Sequence, residues 1–424
     1  MLLQNAGPFL IFAPLLASAA PSCSLKPPRS AAVSASSGIQ SGGAANGSDV
    51  VASAWYPGWV DFTASSISWD KYNAMTFAFG LTTSDVNTIE VGNNATLPEF
   101  VSAAKDHGVA ALLSIGGWTG SQYFSPAVAT PDSRTAFVNT VLGLVKQYDL
   151  DGIDFDWEYP GRKDLGMTCN QVNSADSANF LLFLQELRKT DVGKNLTLTA
   201  AVGLTPFSDG TAPMTDVSQF AAVLDRIAIM SYDIWGQFSA TAGPNAPLDD
   251  SCAPTKAGSA TSAVKAWTSA KFPANQITLG VAAYGHSFNV TSTAAKAGSN
   301  SLALYPAFEK APMATTVDSC GGTESVDDTI PFADLISKGF LNSNGTAADG
   351  MLSVFDSCSQ TPFVYNPQSG LLVSYDDATS FAAKGKFIND QGLGGFAVWE
   401  STGDKDDILL DSLHQAMGIQ PDCS

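Results

Sequence analysis

Asp154, Asp156 and Glu158 occupy every second position of the segment Asp151-Gly152-Ile153-Asp154-Phe155-Asp156-Trp157-Glu158-Tyr159. In an extended strand alternate side chains share a face, so these carboxyls point one way and Ile153, Phe155 and Trp157 the other. Same-face neighbours are roughly 7 Å apart along the backbone, within reach of each other's charge. Burying that much like charge is costly unless some of the groups hold protons. Coupled carboxyls therefore split their titrations, one staying protonated near neutral pH to act as an acid while another stays ionised. Cleavage of a glycosidic bond requires that division of labour. A solvated acidic face would leave the interleaved Ile, Phe and Trp unexplained, and a straight strand offers no loop to wrap a calcium ion.

The elements that position these groups follow from periodicity. Short apolar runs alternate with helical patterns from about Val50 onward, the habit of βα units and a parallel sheet. The expected strands are Val51–Tyr56, Ala74–Phe79, Ala110–Ile115, Gly152–Trp157, Leu196–Val202, Arg226–Tyr232, Ile277–Ala283 and Gly395–Trp399. Helices are expected between them, including Ser133–Gln147 and Ser177–Lys189, where Phe180, Leu184 and Leu187 recur at helical spacing. Eight such strands predict an α/β fold, a (β/α)₈ TIM barrel, with Glu158 at the strand end from which barrel enzymes build their sites. The interval between the seventh and eighth strands is far longer than a βα connection needs, which predicts a small α+β insertion there. The expected organisation is a barrel from 49–289 and 376–424 with the insertion at 290–375.

The pattern D-x-x-D-x-D-x-E resembles that of glycoside hydrolase family 18 chitinases. Ser114-Ile115-Gly116-Gly117-Trp118 is similar to the family's S-x-G-G motif on strand 3, Met230-Ser231-Tyr232-Asp233 to its M-x-Y-D on strand 6, and Trp399 to the tryptophan that ends strand 8. The likeness spans residues 50 to 417, and the insertion resembles the extra subdomain of the branch with deep clefts. The resemblance implies that Glu158 protonates the glycosidic oxygen and later activates water. It also implies that Asp156 orients the substrate's N-acetyl group, that Asp154 shares a proton with Asp156, and that Tyr232 hydrogen-bonds the acetamide carbonyl. Asp233 would bind sugar near the cleavage point, and Trp399 would floor the sugar pocket, with Met230 beside them. Tyr56, Phe77, Trp118, Trp235 and Tyr284 are further aromatic candidates for substrate contact, with plain packing as the alternative for each. One departure stands out: the family usually carries Arg where this chain has His286.

Composition bounds the rest. The 424 residues are 45% hydrophobic and carry a formal charge of −19, so a large core is available and contact with nucleic acid or an anionic membrane is repelled. An uncharged polymer stays compatible, and the expected partner is chitin or N-acetylglucosamine oligomers, bound by a monomer. Residues 1–20 hold an apolar run followed by Ala17-Ser18-Ala19 and read as a signal peptide, and 21–48 as a Ser/Ala/Gly-rich leader, predicting an extracellular protein. Five sequons, at Asn46, Asn94, Asn195, Asn289 and Asn344, agree with secretion. Six cysteines suit three disulfides, expected as Cys320–Cys358, Cys169–Cys252 and Cys23–Cys423. With no C-x-x-C pair and three histidines, no metal and no cofactor is expected. Three activities fit the motif: a retaining chitinase, an endo-β-N-acetylglucosaminidase acting on N-glycans, and a chitin-binding lectin with little turnover.

Overall fold

The alternation of residues 152–157 is realised in a computed structural model that describes residues 24–26, 50–60, 62–92, 94–298, 301–310, 320–321 and 328–422. Ile153 and Phe155 are wholly buried on the outer face of their strand. There Phe155 meets Phe180 and Phe183 edge-on at 5.7 and 5.4 Å, both from the helix Asp176–Lys189. Each such ring contributes roughly 1.5–3 kcal/mol by burial alone. That hydrophobic seam fixes which way the strand faces, and so forces Asp154, Asp156 and Glu158 to the other side.

Eight parallel strands repeat this arrangement: β1 (Val51–Pro57), β2 (Ala74–Thr82), β3 (Ala110–Gly116), β4 (Gly152–Asp156), β5 (Thr197–Val202), β6 (Arg226–Ile229), β7 (Ile277–Ala282) and β8 (Gly395–Trp399). Each pairs with its neighbours in sequence, and β8 and β2 both pair with β1, closing the barrel. Helices pack outside. Pro131–Tyr148 starts at a Thr130/Ser133 capping box, and Ala378–Gln391 starts at an Asp377/Ser380 box and stops at Gly392 in the left-handed conformation. The inner face of the barrel carries the small residues Ala78, Ala201, Ala228 and Ala397 around Trp55, with Phe79, Met230 and Trp399 packed against them.

Two strands depart from expectation. β6 stops at Ile229, because Ser231 turns back to donate its amide to the Ile229 carbonyl, so Met230, Tyr232 and Asp233 stand on the loop beyond it. In β2 the pairing with β3 shifts register between Ala78 and Gly80, so Phe79 is an extra, bulged residue.

Between β7 and β8 lies a five-stranded antiparallel sheet in the order Thr329–Pro331, Tyr284–Asn289, Leu371–Ser374, Thr361–Asn366, Leu352–Asp356. It begins at Tyr284, two residues after β7, and has its own small core of Phe288, Phe363, Tyr365 and Leu372. The disulfides correct the sequence expectation: Cys169 pairs with Cys320 and Cys252 with Cys358. The insertion folds back over the barrel mouth, where Leu248 donates to the Ser359 carbonyl, so each insertion cysteine meets a barrel loop rather than its sequence neighbour. Cys23 and Cys423, like the expected signal peptide and nearly all of the leader, lie outside the described residues. Among the described residues no helix is long and apolar enough to cross a membrane.

Candidate active site

Asp154 is the deepest of the three carboxyls and is held by donors from three other strands. Thr199 Oγ1 on β5 donates to Oδ1 at 2.6 Å, and Ser114 Oγ on β3 and Trp55 Nε1 on β1 donate to Oδ2 at 2.8 and 3.1 Å. Ser114 and Thr199 are its register partners on the adjacent strands, so the sheet itself supplies the contacts. Burial raises the Asp154 pKa, and these hydrogen bonds oppose the shift. Both oxygens of Asp154 are therefore engaged.

Asp156, one same-face step higher, lacks such support. Its Oδ1 is buried without a hydrogen-bond partner among the described residues. Burial, then the charges of Glu158 and Asp154, push it well above the ordinary carboxyl range. An orphaned buried acceptor costs about 1–3 kcal/mol, which marks the position as built for a donor that arrives from outside.

Glu158 follows the strand end. Its amide donates to Ser121 Oγ at 2.9 Å, while Asn170 Nδ2 donates to its carbonyl at 2.9 Å. Ser121 also donates to the Asp156 and Gly117 carbonyls, binding the turn after β3 to the turn after β4. Gly116 makes that approach feasible: at φ 114° its backbone lies so near β4 that a Cβ would stand 2.1 Å from the Asp156 carbonyl oxygen. Burial raises the Glu158 pKa to about 7; the neighbouring Tyr159 phenol opposes the shift and the Asp233 charge adds to it. A carboxyl that keeps its proton near neutrality is a general acid.

Around the carboxyls the loop after β6 and the start of the insertion add Tyr232, Asp233 and Tyr284. Tyr232 is buried, edge-on to Tyr284 at 6.1 Å, and burial followed by the charges of Asp156, Asp233 and Glu158 raises its phenol well above the usual range. Tyr284 donates its hydroxyl to Asp233 Oδ1 at 2.6 Å. Asp233 has φ 55°, held there by the buried Asn245, which accepts its amide at 2.9 Å and donates to the Tyr284 carbonyl at 3.0 Å. Met230 packs beside Trp399, Tyr232 and Tyr284. Trp399 forms the floor, stacked on Phe79 at 5.6 Å, and Phe79 stacks in turn on Trp59, which is 60% exposed. Trp59 and Trp399 are themselves 6.4 Å apart, so the three rings form one compact aromatic cluster.

Two sequence candidates lie elsewhere than expected, and two stand in the loops after strand ends where they were expected. Tyr56 and Phe77 point outward into the main core, where both contact Phe100 at 5.3 and 5.6 Å. Trp235 is buried and packs on Tyr305 at 5.4 Å, a contact with the insertion rather than an open wall. Trp118 is 54% exposed on the turn after β3, among the more exposed aromatics of the described residues. The residues that sequence reasoning missed are Phe79, Trp59, Tyr159, Asn170 and Asn245. Phe79 was hidden by the bulge, since regular alternation puts it on the same face as Phe77. Trp59 and the two asparagines sit in loops, where periodicity gives no direction.

Residues 53–404 match the family described as glycosyl hydrolases family 18. The chain belongs to that family. A chitinase-like effector of Moniliophthora roreri is 45% identical over 89% of this chain and 95% of its own length. Chitinase A1 of Niallia circulans is 31% identical over 71% of this chain and 42% of its own. The crystal structure of a chitinase from Rhizomucor miehei superposes with a TM-score of 0.77 at 32% identity, covering 86% of this chain and 99% of that one. As a family 18 glycosyl hydrolase, the protein places its carboxyl row at the mouth of a (β/α)₈ barrel, and the family match spans both the barrel strands and the insertion.

Proposed function

We propose that this family 18 enzyme is a secreted chitinase that hydrolyses β-1,4 linkages between N-acetylglucosamine units with retention of configuration, using the substrate's own acetamide as nucleophile. The observation that carries the reading is the pairing of Glu158, protonated up to about pH 7, with Asp156, whose buried Oδ1 awaits a donor. The N–H of an N-acetyl group is such a donor. With its amide held by Asp156 and its carbonyl met by the Tyr232 hydroxyl, the acetamide oxygen attacks the anomeric carbon while Glu158 protonates the departing oxygen. The oxazolinium formed carries positive charge, which the newly ionised Glu158 and the carboxyl oxygens of Asp156 stabilise. Glu158, now ionised, takes a proton from water as the water oxygen attacks the anomeric carbon from the face the departing oxygen left, breaking the bond to the acetamide oxygen and restoring the original configuration. Family 18 is a recognised exception to the two-carboxylate scheme for this reason.

The aromatic cluster of Trp399, Phe79 and Trp59 supports sugar as the substrate, since pyranose C–H faces match aromatic rings. Secretion is supported by the apolar N-terminal run and by the two described disulfides, which persist in an oxidising compartment. The test is digestion of an N-acetylglucosamine hexamer beside a high-mannose glycopeptide. Rapid cleavage of the hexamer alone is expected. Cleavage of the glycopeptide instead would assign an endo-β-N-acetylglucosaminidase, and tight binding without turnover would assign a lectin.

A further inference from the structure

His286 lies on the first strand of the insertion, 5% exposed, with a carboxylate against each ring nitrogen. Nε2 is 2.7 Å from Asp233 Oδ1, on the loop after β6, and Nδ1 is 2.9 Å from Asp328 Oδ2, next to the strand Thr329–Pro331. The Nδ1 contact is an ion-pair approach off the line of an ideal hydrogen bond. Two carboxylates can both be satisfied only if both nitrogens carry protons, because a neutral imidazole donates once. Tyr284 converges on the same Asp233 oxygen, so Oδ1 takes two donors, and no described residue donates to Oδ2. Asp328 Oδ2 accepts in turn from the backbone N–H of Gln237 at 3.1 Å. The groups facing the imidazole are thus Asp233 from the β6 loop, Asp328 from the neighbouring strand segment and the Tyr284 ring on its own strand, with uncharged Ser374 and Thr329 as register partners.

We propose that His286, as an imidazolium, is a positioning residue that straps the cleft carboxylate Asp233 to the insertion and offsets its negative charge beside Glu158. The proposal rests on the reading of the cleft as a glycoside-cleaving site. Burial alone would lower the histidine's pKa, but the bonds to Asp233 and Asp328 outweigh it and bring it to about 9. The strap is therefore closed through neutral pH and opens as pH rises through that value. Asp233 raises the Glu158 pKa through its charge, so losing the cation exposes Glu158 to more of that field. His286→Gln keeps one donor and removes the charge. It is expected to raise KM for the N-acetylglucosamine hexamer by about tenfold, the scale of one charged hydrogen bond. It is also expected to move the alkaline limb of the kcat/KM profile to higher pH, while His286→Arg restores both. A role confined to packing would lower the melting temperature and leave that limb in place. An unchanged KM and limb in folded His286→Gln would overturn the proposal. A second readout does not depend on turnover: NMR of the His286 ring nitrogens in the wild-type protein should show the doubly protonated form at pH 7, persisting to about pH 9. A neutral ring at pH 7 would overturn it, whereas a wild-type protein inert on the hexamer with a charged His286 would remove the functional reading and leave the strap standing.

Discussion

Asp154 and Glu158 share one strand face, yet their neighbours assign them different chemistry. Three hydrogen bonds reach Asp154, whereas burial and the Asp233 charge keep the Glu158 proton in place to about pH 7. Replacing Glu158 by Gln retains shape and removes the transferable proton. Hydrolysis of the hexamer should fall by about three orders of magnitude or more, with oligomer binding retained in a tryptophan-fluorescence titration. In the wild type, kcat/KM should decline above about pH 7 as Glu158 ionises. The same shift has a cost in stability. An acid whose folded pKa is raised destabilises the fold progressively as pH rises from the ordinary carboxyl range to that raised value. Glu158→Gln should therefore melt at a higher temperature than wild type above pH 7, with the difference shrinking toward pH 4.5. Equal melting curves across that range would show that Glu158 is not held protonated by burial.

At the level of elements, the turn after β3 controls the acid through Ser121 and Gly116. Gly116→Ala would drive a Cβ into the Asp156 carbonyl and force a side chain onto φ 114°, so we expect a loss of about 3 kcal/mol or more in a urea unfolding series. The strand alternation around Ile153 and Phe155 was legible because period two leaves no other way to bury them. The same logic failed at Phe79, where one bulged residue breaks the period and turns a ring into the cleft. It also overextended β6, because Met230 and Tyr232 alternate like strand residues although the backbone has already turned at Ser231. Tyr56 and Phe77 were misread for a related reason: an aromatic on a barrel strand has two faces to choose from, and only the register with neighbouring strands decides.

For the whole molecule, the insertion is fastened to the barrel by both described disulfides, and one of them closes beside Asn170, which holds the Glu158 carbonyl. Cysteine pairing was beyond sequence reading, since it depends on how the insertion folds back over the mouth. If Cys169–Cys320 steadies the loop that carries Asn170, replacing Cys320 by Ser should lower kcat on the hexamer several-fold more than it raises KM, a split read from steady-state kinetics. The central claim, that the substrate's acetamide is the nucleophile, is tested most directly by anomer-resolved NMR of fresh hydrolysate from fully acetylated and fully deacetylated hexamers. The account predicts that the acetylated chain releases the β-anomer first and that the deacetylated chain stays intact; initial α-anomer, or efficient cleavage of the deacetylated chain, would contradict it.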